Sequence, residues 1–176
     1  NRERVVRVED SRGTKEFYDG PKGDERLTRI EFPGGEVQFY DGPIYEERVI
    51  RKEYPDGQTD FYDGPKGQTH LIRLELSDGT KYFFCGSKDK ERIIRKEYAD
   101  LQTNFYDGPR DKEHLIRAEW PDGNKQFFDG PQDQERLIRA EFNSTEKMQK
   151  VRFFDGPSGQ EYYIRDEYSD GEVNFY

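Results

Sequence analysis

The residues best equipped for chemistry come in rows. Arg51, Arg73, Arg95, Arg117 and Arg139 recur every 22 positions, and Glu53, Glu75, Glu97, Glu119 and Glu141 follow each of them by two. Carboxylates beside guanidinium groups can do acid–base work. A catalyst, however, needs one special site, and here the same pair stands in repeat after repeat. The reading that follows is a structural ladder, in which opposite charges contribute roughly 0.2–1 kcal/mol per cross-strand pair.

The remaining reactive residues point the same way. His70 and His114 occupy a position held elsewhere by Arg48, Arg92 and Arg136, and they stand two repeats apart, too far to share a metal. Acidic turns such as Asp107-Gly108-Pro109-Arg110-Asp111-Lys112-Glu113 offer oxygens to calcium, but the interleaved Lys and Arg oppose a cation. Cys85 replaces the usual Asp and Ser87 the usual Pro in one drifted copy, where cysteine acts as a small hydrophobe. No nucleophile has a base beside it and no glycine-rich phosphate loop precedes a helix. The expectation is a non-enzyme without cofactor or metal.

What positions these rows is a repeat. Asp19, Asp41, Asp63, Cys85, Asp107 and Asp129 recur at a period of 22, and Asp155 follows after 26. A fixed period of this size signals a repeat array. Within one copy, Arg48-Val49-Ile50-Arg51-Lys52-Glu53-Tyr54 meets Pro55-Asp56-Gly57 and then Thr59-Asp60-Phe61-Tyr62. Pro presets φ, Asp bonds its own backbone and Gly takes positive φ, which predicts a three-residue hairpin loop with a Gly bulge. Asp63-Gly64-Pro65-Lys66-Gly67 then turns the chain into the next hairpin, leaving no room for a crossover, so neighbours must be antiparallel.

Pairing Tyr54 with Gln58 sets Glu53 opposite Thr59, Lys52 opposite Asp60 and Arg51 opposite Phe61. Strict alternation then puts Ile50, Lys52, Tyr54, Asp60 and Tyr62 on one face and Val49, Arg51, Glu53 and Phe61 on the other. The fold expected is all-β: about eight tandem 22-residue hairpins over residues 1–176 in one long twisted antiparallel meander sheet, with a curled or closed hairpin shell as the alternative. At about 4.8 Å per strand, like residues recur every ~9.6 Å and eight repeats extend ~75 Å. The chain opens inside a repeat and stops at Phe175-Tyr176, where other copies continue into Asp-Gly-Pro, and so reads as a piece of a longer one. Two departures stand out: Leu101 in place of the turn Gly, where strain is expected, and the long turn from Asn143 to Lys150, which carries the sequon Asn143-Ser144-Thr145.

Composition bounds the partners. Apolar residues make up 31% and charged residues 38%, too lean for a thick core, yet 13 Phe and 12 Tyr at regular spacing argue for order rather than disorder. A net charge of -9 disfavours nucleic acid and anionic membrane surfaces, and no apolar run is long enough for direct membrane insertion. One cysteine excludes an intrachain disulfide.

Two hairpin-repeat families share these strings. The spacing of Tyr62-Asp63-Gly64 to Asp78-Gly79 resembles MORN repeats, which would imply a scaffold or membrane-adjacent adaptor. Tyr18-Asp19, Arg26-Leu27, Pro33, Gly35 and then Phe39-Tyr40-Asp41 resemble the YD repeats of Rhs-type shells, and the whole is similar to the tandem hairpin arrays of algal proteins. All three resemblances imply a hairpin meander.

The function expected is a structural or protein-interaction module, a scaffold or linker. Its contact ladder would be Phe17, Phe39, Phe61, Phe83, Phe105, Phe127 and Phe153, Tyr18, Tyr40, Tyr62 and Tyr106, with Arg51, Arg73, Arg95, Arg117 and Arg139. Exposed aromatic area marks contacts, and unpaired sheet edges can self-associate. The alternative is an array binding carbohydrate or another ligand by aromatic stacking.

Overall fold

The structure, a computed structural model, describes residues 4–143 and 149–176. It is all-β, an antiparallel meander of sixteen strands whose order is the order of the sequence. The chain divides into two compact units, Asn1–Glu91 and Arg92–Tyr176. The first holds β1 (Arg7–Glu9), β2 (Lys15–Asp19), β3 (Arg26–Glu31), β4 (Val37–Asp41), β5 (Arg48–Glu53), β6 (Thr59–Asp63), β7 (His70–Glu75) and β8 (Lys81–Cys85). The second holds β9 (Arg92–Glu97), β10 (Thr103–Asp107), β11 (His114–Glu119), β12 (Lys125–Asp129), β13 (Arg136–Phe142), β14 (Lys150–Asp155), β15 (Tyr162–Tyr168) and β16 (Val173–Phe175).

The predicted hairpin register is the one observed. Lys52 pairs with Asp60 and Arg51 with Phe61. Tyr54 N–H donates to Gln58 O at 2.9 Å and Gly57 N–H to Tyr54 O at 3.0 Å, closing the three-residue loop. Asp56 Oδ1 accepts from Gln58 N at 3.0 Å, the local bond for which Asp is favoured in turns. In the second turn, Asp63 Oδ1 caps Gly64 N at 2.7 Å. Leu101 stands where the other three-residue loops carry Gly and is held at φ 70, 73% exposed. A left-handed leucine costs about 1–2 kcal/mol.

Strict alternation breaks at one residue per repeat. On the side facing the preceding hairpin, Phe39 pairs with Arg51 but Tyr40 pairs with Val49, so Ile50 is bulged. The same shift recurs between Phe17/Tyr18, Phe61/Tyr62, Phe105/Tyr106, Phe127/Phe128 and Phe153/Phe154. The bulge brings Val49 beside Tyr40, which corrects the placement of Val49 with Arg51, and it leaves Ile72, Ile116 and Ile164 exposed.

The bulge frees a backbone N–H, and in five repeats a carboxylate from the following repeat accepts it. Leu27 N donates to Glu47, Leu71 N to Glu91, Ile93 N to Glu113, Leu115 N to Glu135 and Leu137 N to Glu161, at 3.2–3.4 Å. The acceptor for Val49 would come from position 69, where the sequence has Thr. Thr69→Glu is therefore expected to raise the midpoint of urea unfolding, by a stabilisation of about 1 kcal/mol from one charge-assisted hydrogen bond. An unchanged midpoint would mean that water already serves Val49 N–H equally well.

Neither unit has a thick core. Among the described residues the buried apolar side chains are Ala118 and Ala140, while Asp60, Thr80, Asn104 and Asp166 are the buried polar ones. Polar residues therefore occupy what would be a hydrophobic interior in a layered fold.

Candidate interaction face

The two faces of the sheet carry different machinery. On one, each Arg guanidinium lies over the Phe of the preceding strand: Arg29 over Phe17, Arg51 over Phe39, Arg73 over Phe61, Arg117 over Phe105, Arg139 over Phe127 and Arg165 over Phe153, at 3.9–4.2 Å. The Glu two residues on completes the triad, for example Arg51–Glu53 at 3.2 Å, Arg95–Glu97 at 3.3 Å and Arg139–Glu141 at 2.8 Å. Stacked guanidinium groups suit Arg and not Lys, and a cation over an exposed ring is worth about 0.5–1 kcal/mol. The Nε atoms of Arg73 and Arg117 face the Glu75 and Glu119 carboxylates at 3.3 and 3.2 Å. The predicted Phe and Arg ladder is thus one continuous packing device within each unit, with Phe83 paired to Arg73 across the β7–β8 hairpin.

The opposite face carries the predicted tyrosines, Tyr18, Tyr40, Tyr62 and Tyr106, as one bank beside a central row of paired residues. Successive strands contribute Glu16, Ile30, Gln38, Lys52, Asp60, Leu74 and Tyr82 in the first unit. In the second the row reads Lys96, Asn104, Ala118, Gln126, Ala140, Arg152, Asp166 and Asn174. The loop-entry residues form the other bank: Phe32, Tyr54 and Leu76, then Tyr98, Trp120, Phe142 and Tyr168. Bulky banks on either side of a partly buried row make a trough in each unit.

The banks reach into this floor by hydrogen bonds. Asp60, 7% exposed, accepts from Gln58 Nε2 at 2.8 Å, Tyr62 OH at 3.1 Å and Tyr54 OH at 3.2 Å. Asn104 repeats the arrangement, accepting from Gln102 Nε2 at 2.9 Å and donating to the Tyr98 and Tyr106 hydroxyls at 3.4 Å. Burial and the neighbouring Asp60 carboxylate push the Tyr62 hydroxyl pKa well up.

At the start of the row, Tyr18 OH donates to Glu16 at 2.5 Å, and this bond, with burial, pushes the tyrosine up to about 12. A raised tyrosine pKa favours the folded state fully below its ordinary value of about 10 and is lost as pH climbs through 12. Glu16→Gln is expected to lower the Tyr18 midpoint, read by tyrosinate absorbance with Tyr18→Phe as the blank. An unmoved midpoint would assign the shift to burial alone.

Around Asp166 the floor becomes ionic. Its side chain is fully buried and accepts from Arg152 Nε at 2.8 Å, Arg152 Nη2 at 2.9 Å and Tyr176 OH at 3.1 Å, with Lys150 Nζ at 2.7 Å. The Arg152 bonds, helped by Lys150 and Tyr176, hold its carboxyl well below the usual carboxylate range.

The other sequence candidates fall outside the trough. His70 and His114 sit opposite Asp63 and Asp107 near the second turn. Arg48 reaches the next hairpin there, at 3.1 Å from Asp63, and Arg92 reaches Asp107 at 3.3 Å. At Cys85 the carboxylate is missing in the hairpin that follows His70, so both ends of that contact change together. Among the described residues no three His, Cys, Asp or Glu side chains gather as a metal site. In the sequon, Ser144 and Thr145 lie outside the described residues. The floor row itself was missed by motif reading. Its signal lies in comparing repeats column by column, because Phe, Arg and Glu columns hold while the floor columns change.

No family model matches this chain, and no curated protein matches it. Among solved structures, one of TcdB2-TccC3-TEV is similar at 8% identity and a TM-score of 0.17, covering 97% of this chain. The chain spans 15% of the length of that structure.

Proposed function

We propose that the chain is a non-catalytic protein-interaction module, a repeat scaffold that uses the tyrosine-bearing trough as its contact surface. One observation carries this reading: the Phe, Arg and Glu columns that stay constant between repeats build the frame, while both strand columns of the floor change from repeat to repeat. A scaffold alone would have no use for a floor that changes from Glu16 to Gln38 to Asp60 to Asn104. The same organisation supports kinship with MORN-like or YD-type hairpin arrays.

The frame also weighs against glycan stacking along the Phe ladder, since an Arg guanidinium already covers each of the six rings described above. Exposed Val5, Val6 and Val8 near β1, and Phe175 on β16, support pairing of the outer strands with further hairpins or with a second copy.

The test is a selection from a random peptide library displayed on phage against the whole chain. Enriched peptides should lose binding to the floor variants Lys52→Ala and Gln126→Ala and keep it with Arg51→Lys on the opposite face. Enrichment that ignores the floor, or no enrichment beside strong glycan-array binding, would sink the proposal.

A further inference from the structure

We propose that the trough of the second unit takes a proline-rich segment in the polyproline II conformation, with an acidic residue three positions from the proline it seats. This rests on the interaction reading above and names its partner's chemistry.

The first argument is commensurability. Hairpins repeat every two strands, ~9.6 Å. A polyproline II helix turns once in three residues, ~9.3 Å, so successive turns meet equivalent hairpins in register. An extended β peptide repeats every two residues, ~6.7 Å, and falls out of step after one hairpin.

The second argument is the lining. Ala118 and Ala140 are the shortest floor residues, 3% and 2% exposed, and they flank Gln126. Trp120, Asn124, Gln126, Ala140 and Phe142 line a depression of about 260 Å³ there. Aromatic-walled grooves accept proline rings because the ligand is stiff and loses little entropy on binding.

The third is charge complementarity. Two strands from Gln126, Lys150 and Arg152 surround the single carboxylate Asp166, so two cations meet one anion. Glu172, two residues before Asn174 of that row, is engaged by Asn174 Nδ2 at 3.1 Å. The uncancelled positive charge lies one hairpin, hence three polyproline residues, from the depression. A ligand carboxylate at that position completes the pairing.

The experiment is a titration of the full chain with a synthetic proline peptide of about nine residues, roughly three turns, carrying one glutamate. Trp120 is the only tryptophan, so its emission reports on the depression itself. A saturable change is expected, with affinity about tenfold weaker for the lysine counterpart of the peptide, and about tenfold weaker for Phe142→Ala. Lys150→Met is expected to erase the preference for glutamate over lysine, with circular dichroism verifying that both variants keep the sheet. No emission change, or equal affinity for the two peptides, would overturn the proposal. Equal binding of a flexible Gly/Ser peptide carrying the same glutamate would overturn the polyproline assignment while leaving the interaction module standing. A change produced by a chito-oligosaccharide instead of the peptide would overturn both.

Discussion

Asp166→Asn is expected to destabilise the second unit by about 3 kcal/mol. Removing one partner of a buried ion pair costs about 3–5 kcal/mol, mainly because the opposite charge is left uncompensated. Here Arg152 and Lys150 keep 26% of their side chains exposed and can partly rehydrate, which places the cost at the lower end. Hydrogen exchange should locate the damage: amides of β14–β16 lose protection, whereas β1–β8 keep theirs, because a repeat array is stabilised by nearest neighbours. Loss of protection spread evenly along the chain would contradict it.

The pH dependence has a definite sign. The Asp166 carboxyl is depressed in the folded state, so its contribution is present above the unfolded value of about 4 and fades as pH falls toward the folded one. The gap between wild type and Asp166→Asn should stay constant from neutral pH to about 4 and narrow only below.

Gly86→Ala is the second large loss, again about 3 kcal/mol. Gly86 has φ 118, and a Cβ there would stand 2.4 Å from Lys90 O, 3.0 Å from Lys90 C and 3.2 Å from Glu91 Cα. Those are backbone atoms, which cannot swing aside as a side chain would. Strain of about 1–3 kcal/mol adds to overpacking of similar size. The turn also presents Glu91 to Leu71 N–H, so the Leu71 amide should exchange faster in the variant. Gly67→Ala is the control: φ is 80 but nothing lies within 4 Å of the added carbon, and the cost should stay near 1 kcal/mol. Equal costs in denaturant titrations would mean that φ, not space, governs these turns.

The hairpins were legible because turn chemistry and strand length act locally. Pro55-Asp56-Gly57 fixes a three-residue loop, and the loop fixes the pairing of Lys52 with Asp60. The bulge at Ile50 was not, since nothing within its own strand marks it. In other repeats the marker is a glutamate from the following copy, such as Glu47 for Leu27, that accepts the bulge N–H, a relation visible only between copies. The Phe and Arg rows announced themselves by repetition, whereas the floor is defined by failing to repeat. The burial of Asp166 depends on Lys150 and Arg152 arriving on β14 after the irregular turn that interrupts the period.

The Glu-to-bulge bonds also give the array a direction. Each joins a repeat to the one after it: Glu47 serves Leu27, Glu113 serves Ile93 and Glu161 serves Leu137. Lys66 Nζ likewise reaches back to Tyr45 O at 2.8 Å, and Lys88 Nζ to Gly67 O at 3.1 Å. During synthesis a hairpin leaving the ribosome is therefore unfinished until its successor emerges, so maturation trails elongation by one repeat. Cutting the array from its C-terminal side strips acceptors from the copy left behind, while cutting from the N-terminal side strips only groups whose clients have already gone.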